Sequence, residues 1–368
     1  MNCGQDAVAN GREFFERFYP KILKNRIPVV GGIELTTRCN LNCSHCYVSD
    51  SERKGRPDQK ELTTRQWMDL IDQVTGAGCL FLLFTGGEVL LRPDFCDIYR
   101  HACRNGLLVT VFTNGTLVTD RILEIFDAYP PYSIEISLYG ATAATYEAVT
   151  GVAGSFEKCI QGIHRLKAHG FRLKLKTVVL TINFDELEHI ESLAAEIGAP
   201  FRFDAMISAR LDGDPAPLKY RVNPKDAVRK EFSSRDRAKA LHDFFCRMNH
   251  QPVSTDLYQC GAGRNMFHIS PSGWVRPCLM VSGTSRNLLT EGFSKIWGSN
   301  DFKQFRDRGK APVKCRECDK KAVCGYCPGF FQLESGQVEM SSEYLCDIGR
   351  ERKQAILNFH LEENKACQ

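Results

Sequence analysis

Three cysteines, Cys39, Cys43 and Cys46, fall in the run Glu34-Leu-Thr-Thr-Arg-Cys-Asn-Leu-Asn-Cys-Ser-His-Cys-Tyr47. Three thiolates so close can hold three corners of an iron–sulfur cube. The run offers no fourth cysteine, so one iron would stay open to a small molecule, which suits catalysis better than simple electron carriage. The competing readings are a structural zinc site and a chance cluster of buried thiols. Structural zinc closes with four ligands, commonly in pairs. A second gathering comprises Cys260 and Cys278, then Cys315, Cys318, Cys324 and Cys327, then Cys346. Alone, the Cys315 to Cys327 block would also suit a zinc knuckle. Between the two gatherings lies Gly86-Gly87-Glu88. Glycines let backbone approach a ligand closely, and a glutamate offers an anionic acceptor for an ammonium group. By itself that triplet is an ordinary turn into a helix.

The chain of 368 residues is long enough for one large α/β domain and a smaller appended one. Hydrophobic content of 43% and charged content of 25% are those of a globular protein. A net charge of +4 gives no argument for nucleic acid or a membrane surface. The N-terminus has no basic and apolar export pattern, and Cys79-Leu-Phe-Leu-Leu-Phe84 is far too short to span a bilayer. Seventeen cysteines without an export signal point to metal ligation in a reducing cytoplasm rather than disulfides. Cys3, Cys79, Cys96, Cys103, Cys159, Cys246 and Cys367 lie outside the patterns and read as small apolar or incidental surface residues.

The positioning elements follow from periodicity. Residues 12 to 25 read as a helical lead-in interrupted at Pro20. Strands are expected at Gly32–Thr37, Leu80–Thr85, Leu108–Thr113, Ser133–Leu138, Arg172–Leu180 and Phe201–Ile207. Helices are expected at Thr63–Thr75, Pro93–Arg104, Thr119–Phe126, Gly154–Lys167 and Asp185–Ile197. Alternating strands and helices imply right-handed crossovers and a parallel sheet covered on both faces. Periodicity does not separate an open sheet from a partly closed barrel, but both place a site at the C-terminal strand ends. Cys39 follows the first strand and Gly86-Gly87-Glu88 follows the second, so both motifs fall on one rim. A turn-rich break at Asp212-Gly-Asp-Pro-Ala-Pro217 and a charged helix from about Asp226 to Asn249 follow. Beyond Cys260 the chain reads as a small domain organised by metal rather than an apolar core. The expected divisions are 1–29 (lead-in), 30–210, 211–255 (helical linker), 256–350 and 351–368 (tail).

The cysteine triplet after one strand and Thr85-Gly86-Gly87-Glu88 at the end of the next resemble the radical S-adenosylmethionine (radical SAM) superfamily, over residues 30 to 210. The resemblance implies a partial (β/α)6 TIM-type barrel with a C-terminal Cys-rich iron–sulfur domain. It implies a [4Fe-4S] cluster on Cys39, Cys43 and Cys46, its open iron chelated by the methionine part of S-adenosylmethionine. Electron transfer then cleaves a C–S bond to give a 5′-deoxyadenosyl radical. The implied cofactor-binding residues are His45 near the adenine, Gly86, Gly87 and Glu88 at the methionine ammonium, Ser137 at the ribose or carboxylate, Asn114 on the same rim, and Lys176 at the methionine carboxylate. An exposed strand lysine is the plainer reading of Lys176. Arg38 is expected to be a loop charge rather than a ligand.

The second gathering resembles the SPASM extension of these enzymes, with two residues between Cys324 and Cys327 where the family pattern usually has three. The resemblance implies two auxiliary [4Fe-4S] clusters, three in all. Cys315, Cys318, Cys324 and Cys346 would close one; Cys260, Cys278 and Cys327 would supply three corners of the other, with Cys246 a weak candidate for the fourth and an open iron available to substrate the alternative. Eight Lys or Arg against three Asp or Glu in 303–321 would offset cluster charge, although a solvated surface accounts for most of them. The resemblance further implies a peptide or protein substrate and a reductant such as ferredoxin or flavodoxin; any leader segment would need a separate leader-binding partner or direct binding by the barrel. The Cys-Ser-His-Cys-Tyr47 wording keeps a tetrapyrrole substrate of heme biosynthesis as the alternative. A non-catalytic iron–sulfur carrier is the alternative of another class. Leu279 stands where the sulfatase-maturase branch has an acidic base. Asp204, Asp212 and Asp214 could face substrate, with a turn role the plainer reading.

Overall fold

The structure is a computed structural model and describes residues 11–53, 60–249, 254–281, 283–307 and 309–366. Cys3 and Cys367 lie outside the described residues. Its frame is a nine-stranded sheet. The strands are β1 (Val30–Thr36), β2 (Phe81–Gly86), β3 (Leu108–Thr113), β4 (Ser133–Ser137), β5 (Leu173–Val178), β6 (Phe201–Asp204), β7 (Met266–Ile269), β8 (Trp274–Arg276) and β9 (Arg286–Asn287). Their spatial order is β6-β5-β4-β3-β2-β1-β7-β8-β9, with β1 to β7 parallel and β8 and β9 added antiparallel. The six expected strands and five expected helices are all present, with bounds shifted by a few residues.

Alternation builds the layers. Leu82 and Phe84, Val109 and Val111, Ile134 and Ile136, and Leu173 and Leu175 are buried against the covering helices. Those helices answer with apolar stripes: Trp67, Leu70, Ile71 and Val74 on Thr64–Gly76, and Phe95, Ile98, Tyr99 and Ala102 on Phe95–Arg104. Thr63 caps the first, in a reciprocal capping box with Gln66. The intervening strand positions face a shared cavity lined from β1 to β7, so the sheet is a partly closed barrel whose edge strands β6 and β7 flank the opening.

Two expectations need correction. Pro20 does not break the lead-in: one helix runs Gly11–Asn25 through it. The Cys-rich region is not organised by metal alone. Its strand β7 pairs with β1 in register from Val30↔Met266 to Ile33↔Ile269, and Phe267, Ile269, Val275, Phe293 and Trp297 belong to the barrel's own core. Gly31 makes this possible, because a Cβ there would sit 2.4 Å from the Phe267 ring. Among the described residues no helix is long and apolar enough to cross a membrane.

The C-terminal helix Glu343–Ala366 ties the two halves by charge as well as by packing. Arg352 donates to Glu231 at 2.5 and 2.7 Å and to the Val323 carbonyl at 2.8 Å, with both charged side chains at most 13% exposed. Removing one partner of such a buried pair strands the other. Arg352→Ala is therefore expected to lower stability by about 3 kcal/mol. A paired Arg352→Met, Glu231→Met variant should recover most of that loss, and thermal melting of the three chains checks it.

Candidate active site

The loop after β1 carries Cys39, Cys43 and Cys46, and backbone hydrogen bonds fix it from two sides. Asn42 and Ser44 donate to the Thr150 and Val149 carbonyls at the end of the helix Ala143–Thr150. From the other side Gly87 donates to the Thr36 carbonyl at 2.8 Å and Glu88 to the Arg38 carbonyl at 2.9 Å. The Gly-Gly-Glu segment is thus zipped to the chain entering the cysteine loop. Only glycine permits this. Gly86 has φ +135° and its Cβ would meet the Thr36 carbonyl oxygen at 2.3 Å; a Cβ on Gly87 would meet the Arg38 carbonyl oxygen at 2.2 Å.

These elements enclose a cavity of about 610 Å³. Its wall includes Cys39, Cys43, His45, Cys46, Gly86, Gly87, Asn114, Ser137 and Lys176, which gathers six of the seven residues expected at the cofactor. The seventh, Glu88, behaves otherwise. It is fully buried behind the wall, and its carboxylate accepts from the Leu90 and Asn114 backbone N–H groups and the Thr113 hydroxyl, at 2.7–3.0 Å. Burial raises its pKa, against the pull of those donors. In this structure the side chain, expected as an ammonium acceptor, braces the end of β3. Asn114 in turn donates to Asn40 at 2.9 Å, and Asn40 to Thr116 at 2.8 Å, which anchors the cysteine loop to the same strand end.

His45 is half-buried in the loop, its ring edge-on to Tyr139 with centroids 4.7 Å apart, and desolvation lowers its pKa to about 4. Tyr139 stands two residues beyond Ser137, and both line the cavity. Lys176 reaches over the Phe112 ring at 2.8 Å and lies 3.6 Å from Glu135, which also pairs with Arg202 at 2.7 Å. Burial, with repulsion from Arg202, lowers Lys176 to about 7 against the attraction of Glu135. The plain reading of an exposed strand lysine is therefore corrected. An anion held by Lys176 should bind more weakly as pH rises through about 7, because the charged form is lost there. Lys176→Met should remove that dependence; isothermal titration of S-adenosylmethionine from pH 6 to 8.5 checks it.

Other expected residues fall as follows. Arg38 pairs with Glu61 at 3.4 Å and lines a separate, more polar hollow. Asp204 lies on the main cavity wall and accepts from the Met206 N–H, whereas Asp212 and Asp214 accept from backbone N–H groups two residues on, in the turn. Residues without an expected role also line the cavity: Tyr47, Arg202 and His268. Tyr47 donates to Glu34 at 2.9 Å, and Glu34 lies 3.2 Å from His268 Nε2.

Two of the C-terminal cysteines have distinct sets of thiol neighbours. Burial raises Cys278 to about 11, and Cys327 and Cys260 are the thiols that act on it electrostatically. Cys324 is likewise raised to about 11 by burial, with Cys318, Cys346 and Cys315 as its thiol neighbours. Among the described residues no group of three or more His, Cys, Asp or Glu is drawn around one point as the ligands of a single ion are. Cys278 also lines the reaction cavity, so two cysteine sets open onto one space. Cys246 is elsewhere: exposed on the helix Arg235–Asn249, its Sγ 3.6 Å from His242. In the basic segment Lys310 and Lys320 pair with Asp256 and Asp319, while Lys321 is buried among Cys315, Cys324 and Cys318.

Comparisons with known proteins agree with this geometry. Residues 33–194 match the model of the radical SAM superfamily, and residues 260–319 match that of the SPASM iron–sulfur cluster-binding domain. An AdoMet-dependent heme synthase of Methanosarcina barkeri is 31% identical over 80% of this chain and 89% of its own length. The mycofactocin maturase MftC of Mycobacterium ulcerans is 31% identical over 81% of this chain and 82% of its own. The solved structure of Streptococcus suis SuiB bound to the precursor peptide SuiA superposes with a TM-score of 0.68, at 17% identity, over 94% of this chain and 83% of that one. At that identity the likeness is one of fold.

Proposed function

Since the chain belongs to the radical SAM superfamily, with a SPASM domain, we propose that it cleaves S-adenosylmethionine reductively and uses the radical to modify a peptide or protein. S-adenosylmethionine and iron–sulfur clusters are the cofactors of this family, and the residues present fit them. In this reading Cys39, Cys43 and Cys46 hold the cluster that supplies the electron for C–S cleavage. Gly86 and Gly87 give the methionine end its close approach, and Glu88 positions Asn114 from behind. Ser137, Asn114 and Lys176 face the ribose and carboxylate. His45 and Tyr139 form an aromatic wall for the adenine. Cys260, Cys278 and Cys327 would hold one auxiliary cluster, and Cys315, Cys318, Cys324 and Cys346 the other. An external reductant such as ferredoxin or flavodoxin, and a separate leader-binding protein, complete the proposal.

The observation that carries the substrate reading is the size of the shared cavity. About 610 Å³ is room for one drug-sized ligand. With S-adenosylmethionine in place, the remaining space suits a single side chain delivered by an extended peptide. The maturase relative and the peptide-bound fold neighbour support the same reading. A tetrapyrrole substrate is the second reading, favoured by the 31% identity to a heme synthase.

Anaerobically reconstituted protein with dithionite separates these readings. Iron near twelve atoms per chain is expected for three clusters, and about four would overturn that count. Deuterium should pass from a labelled peptide, encoded by a short neighbouring reading frame, into 5′-deoxyadenosine. Transfer from a labelled tetrapyrrole propionate, and none from peptides, would establish the second reading. Absence of 5′-deoxyadenosine would leave only an electron carrier.

A further inference from the structure

Outside the wall of the reaction cavity, three donors meet between the helices Arg235–Asn249 and Glu343–Ala366. His242 and Cys246 are one helical turn apart on the same face of the first helix. Cys246 Sγ lies 3.6 Å from His242 Nε2. From the second helix, His360 Nδ1 lies 3.2 Å from that same nitrogen, with the two rings 14° from parallel. One imidazole nitrogen carries either a proton or a lone pair. His242 Nε2 can share its proton or its lone pair between the two neighbours, and a cation placed among the three would engage all of them.

We propose that His242, Cys246 and His360 form a zinc site that clips the linker helix to the C-terminal helix. Zinc at its usual distances, about 2.0–2.1 Å to nitrogen and about 2.3 Å to sulfur, sets tetrahedral neighbours about 3.3 Å (N–N) and about 3.6 Å (N–S) apart. The two spacings present here already match. Asp243 Oδ1 lies 3.4 Å from His242 Nδ1. A proton held on that side leaves the Nε2 lone pair for the metal, the usual carboxylate–histidine arrangement behind a zinc ion. As they stand, the three donors do not yet close on one point. Cys246 and His360 are exposed, so rotation of those side chains closes the triangle without moving the core. Thiolate with imidazoles selects zinc over magnesium or calcium. A water in the fourth position completes the tetrahedron. The clip steadies the helix that carries Cys346 and Arg352 and does not depend on the substrate.

The test uses the cluster-loaded chain, whose cluster cysteines are already occupied. Zinc chloride titrated against a chromophoric chelator should reveal one site per chain. His242→Ala should abolish it, Cys246→Ser should weaken it more than tenfold, and Asp243→Asn should weaken it by about tenfold. Cobalt chloride should give a thiolate-to-metal absorption band in the parent chain that Cys246→Ser lacks. Circular dichroism matching the parent shows that each variant has folded. A parent chain that takes up no zinc beyond its clusters, or a His242→Ala or Cys246→Ser variant that binds as the parent does, overturns the site.

Discussion

Cys43→Ala is expected to reduce 5′-deoxyadenosine formation to the background of iron-free protein. A cube with only two protein corners at this loop has no third anchor, and the loop supplies no substitute. Cys39 and Cys46 remain, the other side chains between them are Asn40, Leu41, Asn42, Ser44 and His45, and the His45 ring is turned against Tyr139. The loss should appear as missing iron as well as missing turnover, with about a third of the iron gone if the auxiliary clusters persist. Cys103→Ala is the control. Cys103 is a half-buried thiol on the helix Phe95–Arg104, outside either cysteine set. Its replacement should leave cleavage at the parent rate. Turnover retained in Cys43→Ala would show that this loop does not hold the reactive cluster.

How far this site was legible from residue order differs from one element to another, for physical reasons. Strand β3 was readable to its bounds because an apolar run sits between turn residues. The helix Ala143–Thr150 was not expected: Ala-Ala-Thr-Tyr-Glu-Ala-Val-Thr carries no apolar stripe, and only Tyr146, Val149 and Thr150 are buried. Yet its last carbonyls hold the cysteine loop. Strand β7 is four residues long, and its partner β1 lies more than two hundred residues earlier, a pairing that local periodicity does not encode. On β5 the alternation Leu173, Leu175, Thr177 against Lys174, Lys176, Val178 was plain. What it does not say is that Lys176, unlike Lys174, meets a cavity instead of solvent, and this is what depresses it. Arg202 was reachable by the same period, since it shares a strand face with Asp204, whereas Tyr139 lies two residues past the end of β4. The motif likewise named Glu88 without showing which way its carboxylate turns. Three donors from the ends of β2 and β3 decide that, and only the folded chain brings them together.

Gly87→Ala tests whether the glycines matter as ligand-facing backbone or as the joint between two loops. The added methyl would stand 2.2 Å from the Arg38 carbonyl oxygen, 2.6 Å from its carbon and 2.7 Å from the Thr37 oxygen. All three are backbone atoms, so no rotamer change relieves the clash, and the segment entering Cys39 has to move. Overpacking of this kind costs about 1–3 kcal/mol, and it breaks the Glu88-to-Arg38 hydrogen bond that registers the loop. All three cysteines are still present, so iron content should stay close to that of the parent. Turnover should not: a displacement of about 1 Å in a reacting centre costs on the order of a hundredfold in rate. The expected result is therefore a cluster-loaded protein whose 5′-deoxyadenosine formation falls about a hundredfold. Gly76→Ala, at a helix end with open space around the site of the new methyl, should be silent. Full iron with full turnover in Gly87→Ala would mean that the close approach of these two loops does not set the geometry of cleavage. Loss of iron in step with turnover would place its effect on cluster assembly instead.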